Sequence, residues 1–429
     1  MNKNPDTLPP HFRWNFAAFL VDYVCFGLAL TFANLSSVMP AFVGQLTDSA
    51  PVIGLVDTVF RGGWLLPQLA TARLINDKPH KKPYMLAGLS GRFLFFVIAL
   101  ALWSGLADRP TAMLILFFTC LGLFASTDGF GSVAWFDMLA RAIPMSRRGR
   151  LIGVGQVISG LAGVGVGVLV GLILDRRPFP DNYAIIFTLA GVAFMPAYFA
   201  LSLLREPQPE ETEAGADDQV TGSWLNLLVT DQAFRRLIAC RLLVGMMTLA
   251  TSFYVVHAAH ELHLPQSAIG QFVSTQTLAG LVASVVLGLV SERWGPRYVA
   301  RIGSAAAAAG PFFALVVHVV RSDWLVYAYP LVYAMLGVVN SSWMLGFFNY
   351  LLEIAPERMR PAYVGLGNTI MGVLTLAPMV GGWLLEVTSY TVLFGVTTLV
   401  AAGGFLLSLG LKPTQPATPT ASAAKASSG

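Results

Sequence analysis

The chain has 429 residues, 55% of them hydrophobic and only 12% charged, and its net charge is +4. Soluble domains carry about a quarter charged residues, so most side chains here must face lipid or other helices, and the small positive balance gives no ground for a nucleic-acid partner. No Gly-Lys dipeptide occurs, which excludes a nucleotide-hydrolysing P-loop.

A helix that crosses a bilayer needs about 20 mostly apolar residues. Twelve such stretches lie near residues 15–42, 52–74, 83–105, 112–140, 150–174, 182–204, 233–259, 266–290, 298–320, 324–352, 362–386 and 390–411. The segment before the first is polar up to Arg13, and the first apolar run is too long for the core of a signal peptide, so no cleaved leader is expected. Cys25, Cys120 and Cys240 all fall within spans and suggest neither a disulfide framework nor a metal cluster.

A charge near the centre of a spanning helix costs about 2.5–3.5 kcal/mol to insert, so each one needs a partner or a purpose. In span 1, Asp22 is either a cation or proton site or the structural partner of an Arg from another span. In span 2, Asp57 and Arg61 stand four apart on one helix face and can form an ion pair within the helix; Arg61 is also deep enough to reach Asp128 or an anionic substrate. Arg92 of span 3 is read as snorkelling or as part of the preceding loop's charge cluster. In span 4, Asp128 beside Gly129 can hold a cationic group or a proton, or neutralise an Arg.

Residues 206–224 carry Glu206, Glu210, Glu211, Glu213, Asp217 and Asp218 with no Lys or Arg, as a solvated linker would. Arg241 in span 7 either meets an anionic group or snorkels. His257 and His260 have metal-ligand spacing but no third ligand nearby, so no metal is expected. Gln271 and Gln276 of span 8 read as helix-to-helix hydrogen bonders, and His318 as interfacial. In span 10, Asn340 leads into Ser341, Ser342 and Trp343, a polar and aromatic group that can orient a ligand or join helices. Residues 413–429 are rich in Ala, Ser, Thr and Pro and read as a disordered tail.

The second six spans echo the first six at an offset of about 212 residues. Ile143-Pro144 through Gln156 aligns with Ala355-Pro356 through Asn368, Gly160 with Gly372, and Ile53-Gly54 with Ile269-Gly270. A membrane protein of two similar halves is suited to rocking one half against the other about a central site. Lys and Arg fix the expected orientation. With a cytoplasmic N-terminus, twenty of them lie on the cytoplasmic side and only Arg109, Arg176, Arg177 and Arg321 outside.

The loop after span 8 reads Gly288-Leu289-Val290-Ser291-Glu292-Arg293-Trp294-Gly295-Pro296-Arg297. With twelve spans in two halves, a charged middle linker and cytoplasmic ends, the chain resembles the major facilitator superfamily over residues 13–412, and that loop is similar to the family's loop signature. The resemblance implies an all-α membrane protein of twelve transmembrane helices in two pseudo-symmetric six-helix bundles. The halves are residues 1–205 and 225–412, joined by 206–224 and followed by the 413–429 tail. It also implies that spans 1, 4, 7 and 10 line a central cavity, and that Glu292, Arg293, Gly295 and Arg297 latch the cytoplasmic side. In the first half, Ala72, Asn76, Asp77, Pro79 and Lys81 occupy the matching places, and only Asp77 and Lys81 keep useful charge. Gly129-Phe130-Gly131-Ser132 is similar to the Gly-rich end of a span-4 motif of proton antiporters, where Ala125 stands in place of the motif's Arg.

The function so implied is a secondary transporter in the plasma or inner membrane, moving a small molecule by alternating access. It is not an enzyme, needs no cofactor or nucleic acid, and is expected to be a monomer in its lipid bilayer. Protons are the candidate coupling ion, and Asp22, Asp57, Arg61, Asp128, Arg241 and Asn340 form the candidate pathway. Arg61 or Arg241 is expected to compete with a proton for Asp22 or Asp128. The alternative is a non-transporting receptor or assembly factor on the same fold.

Overall fold

The computed structural model describes residues 9–75, 78, 80–206, 228–356 and 359–413, and among these it is helical with no strand. Asp77, most of the acidic linker and nearly all of the tail lie outside the described residues.

The long helices of the first half are α1 (Phe12–Phe32), α2 (Ala50–Ile75), α3 (Lys82–Trp103), α4 (Pro110–Ala142), α5 (Met145–Arg176) and α6 (Asp181–Ser202). Those of the second are α7 (Gln232–His260), α8 (Ala268–Trp294), α9 (Pro296–Val320), α10 (Asp323–Ile354), α11 (Ala362–Val387) and α12 (Tyr390–Leu409). Eleven are long and apolar enough to cross a membrane. The other, α2, is 26 residues long, and Asp57 and Arg61 lower its average hydropathy. Helices satisfy their own backbone hydrogen bonds, the condition for crossing hydrocarbon. Exposed Leu66, Ile115, Leu161, Trp383 and Leu399 belong to the apolar outer surface such helices present to lipid.

Span 1 is not one continuous helix. After Phe32 the backbone leaves helical geometry and resumes as a short segment, Val38–Gly44. Asn34 accounts for the break: its Oδ1 accepts from the Ser36 amide (2.9 Å) and the Ser37 hydroxyl (3.1 Å), so a side chain competes with the helical ladder. Its Nδ2 donates to Gln276 Oε1 of α8 (3.2 Å). Helix α7 is interrupted at Met246–Met247, and α10 carries a π-helical segment, Trp343–Phe348.

Within the first half, α1 packs on α5 and α6, α2 on α4, and α3 on α4 and α6. Within the second, α8 packs on α10, α9 on α10 and α12, and α7 on α11 and α12. The halves meet along two seams, α5 with α8 and α2 with α11. Small residues make these seams close. A Cβ on Gly270 would strike the backbone of Gly171 and Gly167, one on Gly54 would strike Pro378, and one on Gly382 would strike Ala50.

The two ends of the bundle differ. We call the end where α1 begins the terminal face and the opposite end the far face. Hydrogen bonds between the halves, among the described residues, occupy the far face and the middle. Besides Asn34 to Gln276, they join Asn182 to Gln266 (3.2 Å), Ser49 to Glu386 (3.4 Å), Tyr333 to the Ser36 carbonyl (3.5 Å), Ser274 to the Val164 carbonyl (3.0 Å) and Gln156 to Ser284 (2.8 Å). At the terminal face each half closes on itself. Trp14 donates to the Leu203 carbonyl (2.8 Å) in one half, and Arg236 to the Gly410 carbonyl (2.6 Å) in the other. Among the described residues, the halves are thus hydrogen-bonded to each other at the far face and the middle, and each to itself at the terminal face.

If the Gly171–Gly270 contact holds the far face shut, Gly270→Val should open it, because no flexible side chain is there to yield. With Cys25, Cys120 and Cys240 replaced by Ser, a cysteine placed at Ser36 should react faster with maleimide in Gly270→Val than in its parent. Equal rates would show that the seam is not the closure.

Candidate functional site

The first half buries three charges together. Asp22 of α1 and Arg92 of α3 are each 3% exposed, and Asp128 of α4 is 7% exposed. Arg92 Nη1 donates to Asp22 Oδ1 at 2.8 Å, and its Nε to Asp128 Oδ1 at 3.3 Å. Trp135 Nε1 donates to the other Asp22 oxygen at 2.9 Å. The guanidinium also lies over the rings of Phe26 (4.9 Å) and Phe194 (5.5 Å), whose negative faces favour a cation. Glycine makes the meeting possible: Gly88 approaches the Gly131 and Thr127 backbone, and Gly91 approaches the Thr127 side chain. This brings α3 near enough to α4 for Arg92 to span to Asp128.

Two expectations are corrected here. Arg92 does not snorkel to a surface; it is the counter-charge of both acids. Nor do Arg61 and Arg241 compete for those acids. Arg61 Nε lies 2.8 and 2.7 Å from the two oxygens of Asp57 on its own helix. Asp57 is buried while half of the Arg61 side chain is exposed. Arg61 shares the stripe of α2 that carries Gly54, packed on Pro378, and Leu65, close to Gly372. It therefore faces α11 along the seam where the two halves meet.

In the second half, Arg241 of α7 is 2% exposed, so it does not snorkel either. Its guanidinium stacks over the Trp343 ring at 4.6 Å, and its Nε and Nη1 have no hydrogen-bond partner among the described residues. Asn340 is exposed on α10, while its neighbour Ser341 donates to the Gly280 carbonyl of α8 at 2.8 Å.

At the far face, His257 is buried. It lies 3.0 Å from Tyr329 Oη through Nδ1, and 3.1 Å from His318 Nδ1 through Nε2. His260 is exposed, and no group of three candidate metal ligands forms among the described residues. Gln276, read as a helix joiner, reaches across the halves to Asn34.

The loop after α8 turns at Gly295, whose φ of 89° favours glycine. Its amide donates to the Ser291 carbonyl at 2.9 Å. Glu292 and Arg293 are exposed, and Arg297 lies over the Tyr298 ring at 4.7 Å. In the first-half counterpart, Lys81 pairs with Asp137 of α4 at 3.2 Å, and its amide donates to Glu206 Oε1 at 2.6 Å.

The sequence reading missed Arg92 as the hub, Trp135 as a partner and the His257–His318 contact. A signal for Arg92 was available: two buried acids need a counter-charge, and Arg92 lies beside Gly88 and Gly91, which let its helix approach another.

The family model of the Major Facilitator Superfamily matches residues 23–375, with a second, overlapping match over 237–428. In sequence the chain is similar to an uncharacterized protein of Mycobacterium tuberculosis, at 20% identity over 327 residues. That alignment takes in 75% of this chain and 62% of the relative, so the chain spans under two thirds of the length of the curated relatives it matches. The fold is similar to that of a bacterial homologue of the iron transporter ferroportin. The TM-score is 0.71 to its inward-facing state and 0.61 to its outward-facing state, at 15% and 16% identity, covering 92% of this chain and 98% of that one. It is also similar to a D-xylose-proton symporter, with a TM-score of 0.69 and 14% identity over 94% of this chain and 98% of that one.

Removing Arg92 should leave two carboxylates facing each other without a cation. Breaking a buried pair costs about 3–5 kcal/mol. Arg92→Leu should therefore lower the melting temperature of the purified protein clearly more than Asp128→Asn does. A melting temperature equal to the parent's would refute the hub.

Proposed function

The chain belongs to the major facilitator superfamily, and on that premise we propose that it is a multi-pass secondary transporter that moves a small molecule by alternating access. The asymmetry between its ends carries the reading. Hydrogen bonds and glycine contacts join the halves at the far face, whereas the terminal face has separate closures within each half. Rocking the halves about the middle would break the first set and bring the terminal ends together, exposing a central site to each side in turn.

The Asp22–Arg92–Asp128 cluster is the proposed coupling site. Two carboxylates share one guanidinium, so the cluster has an acceptor to spare. A proton on either acid removes one charge and weakens the hold of Arg92 on it, which lets α1 or α4 shift against α3. Arg61 sits on the seam between α2 and α11 and serves the pathway separately.

The terminal face is assigned to the cytoplasm, because it gathers most of the Lys and Arg. A reporter inserted at Gly215 of the linker should read as cytoplasmic and one at Asp48 as external. An external signal from Gly215 would reverse the assignment.

For coupling, the purified protein in liposomes is screened with labelled compounds under an imposed pH gradient. One coupled proton supports about tenfold accumulation per pH unit. Asp22→Asn or Asp128→Asn should bring that ratio to about one while downhill exchange persists. Full gradient-driven accumulation in both variants would make the carboxylates structural.

A further inference from the structure

Arg241 is placed as no packing requirement explains. The two halves can be superposed in sequence by setting Phe12-Arg13 against Phe234-Arg235. Trp14 then falls on Arg236, and these two side chains make the same bond, each donating to a carbonyl at the end of its half's last helix. In that register Phe19 falls on Arg241. Phe19 is fully buried, with its ring edge-on to Trp135 of α4 at 5.4 Å. Arg241 is buried against Trp343 of α10 at 4.6 Å. The first half fills that position of its first helix with an uncharged ring, so the fold itself does not call for a cation there.

The charge in the second half is also unanswered. Arg92 has two carboxylates, but Arg241 Nε and Nη1 have no acceptor among the described residues. The acid at the start of α7, Asp231, stands ten residues before Arg241 and is occupied. It accepts from the Ala233 and Phe234 amides and from the Tyr363 hydroxyl. The helices on either side can rearrange. Trp343 begins the π-helical segment of α10, a distortion found often at functional sites, and α7 breaks at Met246–Met247, just over a turn beyond Arg241. Gly367 of α11 lies opposite Nη1 and adds no side chain to cover it.

We propose that Arg241, with Trp343 as its cover, is the anchor for the carboxylate of a lipophilic monocarboxylic acid, the transported substrate. A guanidinium offers N–H donors that match a carboxylate. One positive charge balances one negative charge; a phosphate dianion would leave a charge uncompensated in a site of low dielectric. The neighbours Ile238 and Trp343 suit an aromatic or branched carbon skeleton rather than a polyol. The inference rests on the transporter reading, since it takes α7 and α10 as walls of the central pathway.

Benzoate is the probe, and binding is measured by equilibrium dialysis of labelled benzoate against the purified full-length protein, with no flux required. Wild type should bind benzoate saturably, at least about tenfold more tightly than the neutral benzamide, as expected when a charge-assisted hydrogen bond is lost. Arg241→Leu should lose that preference and Arg241→Lys should keep part of it. No saturable binding in wild type, equal affinity for benzamide, tighter binding of inorganic phosphate, or unchanged benzoate affinity in Arg241→Leu would overturn the proposal. The comparison within wild type stands even if the variants fail to fold. Benzoate binding without flux of any compound would count against transport and leave the anion site standing; flux without benzoate binding would do the reverse.

Discussion

The structure depends on how it buries charge. A lone ion in hydrocarbon or in a dry helical interior is costly, and the cost falls only when a partner stands in hydrogen-bonding contact. Arg92 meets that condition for three helices of the first half at once. By holding Asp22 of α1 and Asp128 of α4, it fixes the relative height and rotation of α1, α3 and α4, because any slide would leave a carboxylate unpaired. Gly88 and Gly91 are the steric counterpart, since bulk at either place would push α3 away. The same rule gives Asp57 a partner on its own helix, and so leaves α2 free of that network.

Much of this was legible in the sequence, and what was not has physical reasons. Spans are written in long apolar runs, and the doubling of the chain is written in paired segments such as Ile143–Gln156 and Ala355–Asn368. Both are local properties, and the helices follow them closely. The break in span 1 was hidden because Asn34, Ser36 and Ser37 are too few to lower the hydropathy of the run, although their competition for backbone donors decides the geometry. The partner of Asp22 was hidden because an ion pair between residues 70 apart depends on helix rotation, which the near-uniform apolarity of these helices does not reveal. Arg241 was visible as a charge in a span, but that its Nε and Nη1 lack an acceptor among the described residues is purely a tertiary fact.

The seams and the charges divide the work between them. Glycine contacts and hydrogen bonds, neutral apart from Ser49–Glu386, join the halves, while the deep ion pairs stay inside one half. Neutral contacts of this kind are individually weak, about 0.6 kcal/mol for interhelical hydrogen bonds in membrane proteins, and can be exchanged cheaply. Charge pairs cannot. In the proposed cycle a half therefore moves as a unit while its charges are paired, and the interface is where the molecule gives way.

The ratio of two carboxylates to one guanidinium has an electrical consequence. The first-half cluster carries one net negative charge when bare and none when it holds a single proton; a second proton would make it positive and restore the cost of burial. If the cluster is the coupling site proposed above, one proton per cycle is its natural stoichiometry. Arg241 carries the opposite sign in the other half, and a monocarboxylate would cancel it. The bare pair of sites then sums to zero, and so does the pair loaded with a proton and an anion. A cycle between those two states moves no net charge, and the voltage across the membrane does no work on it.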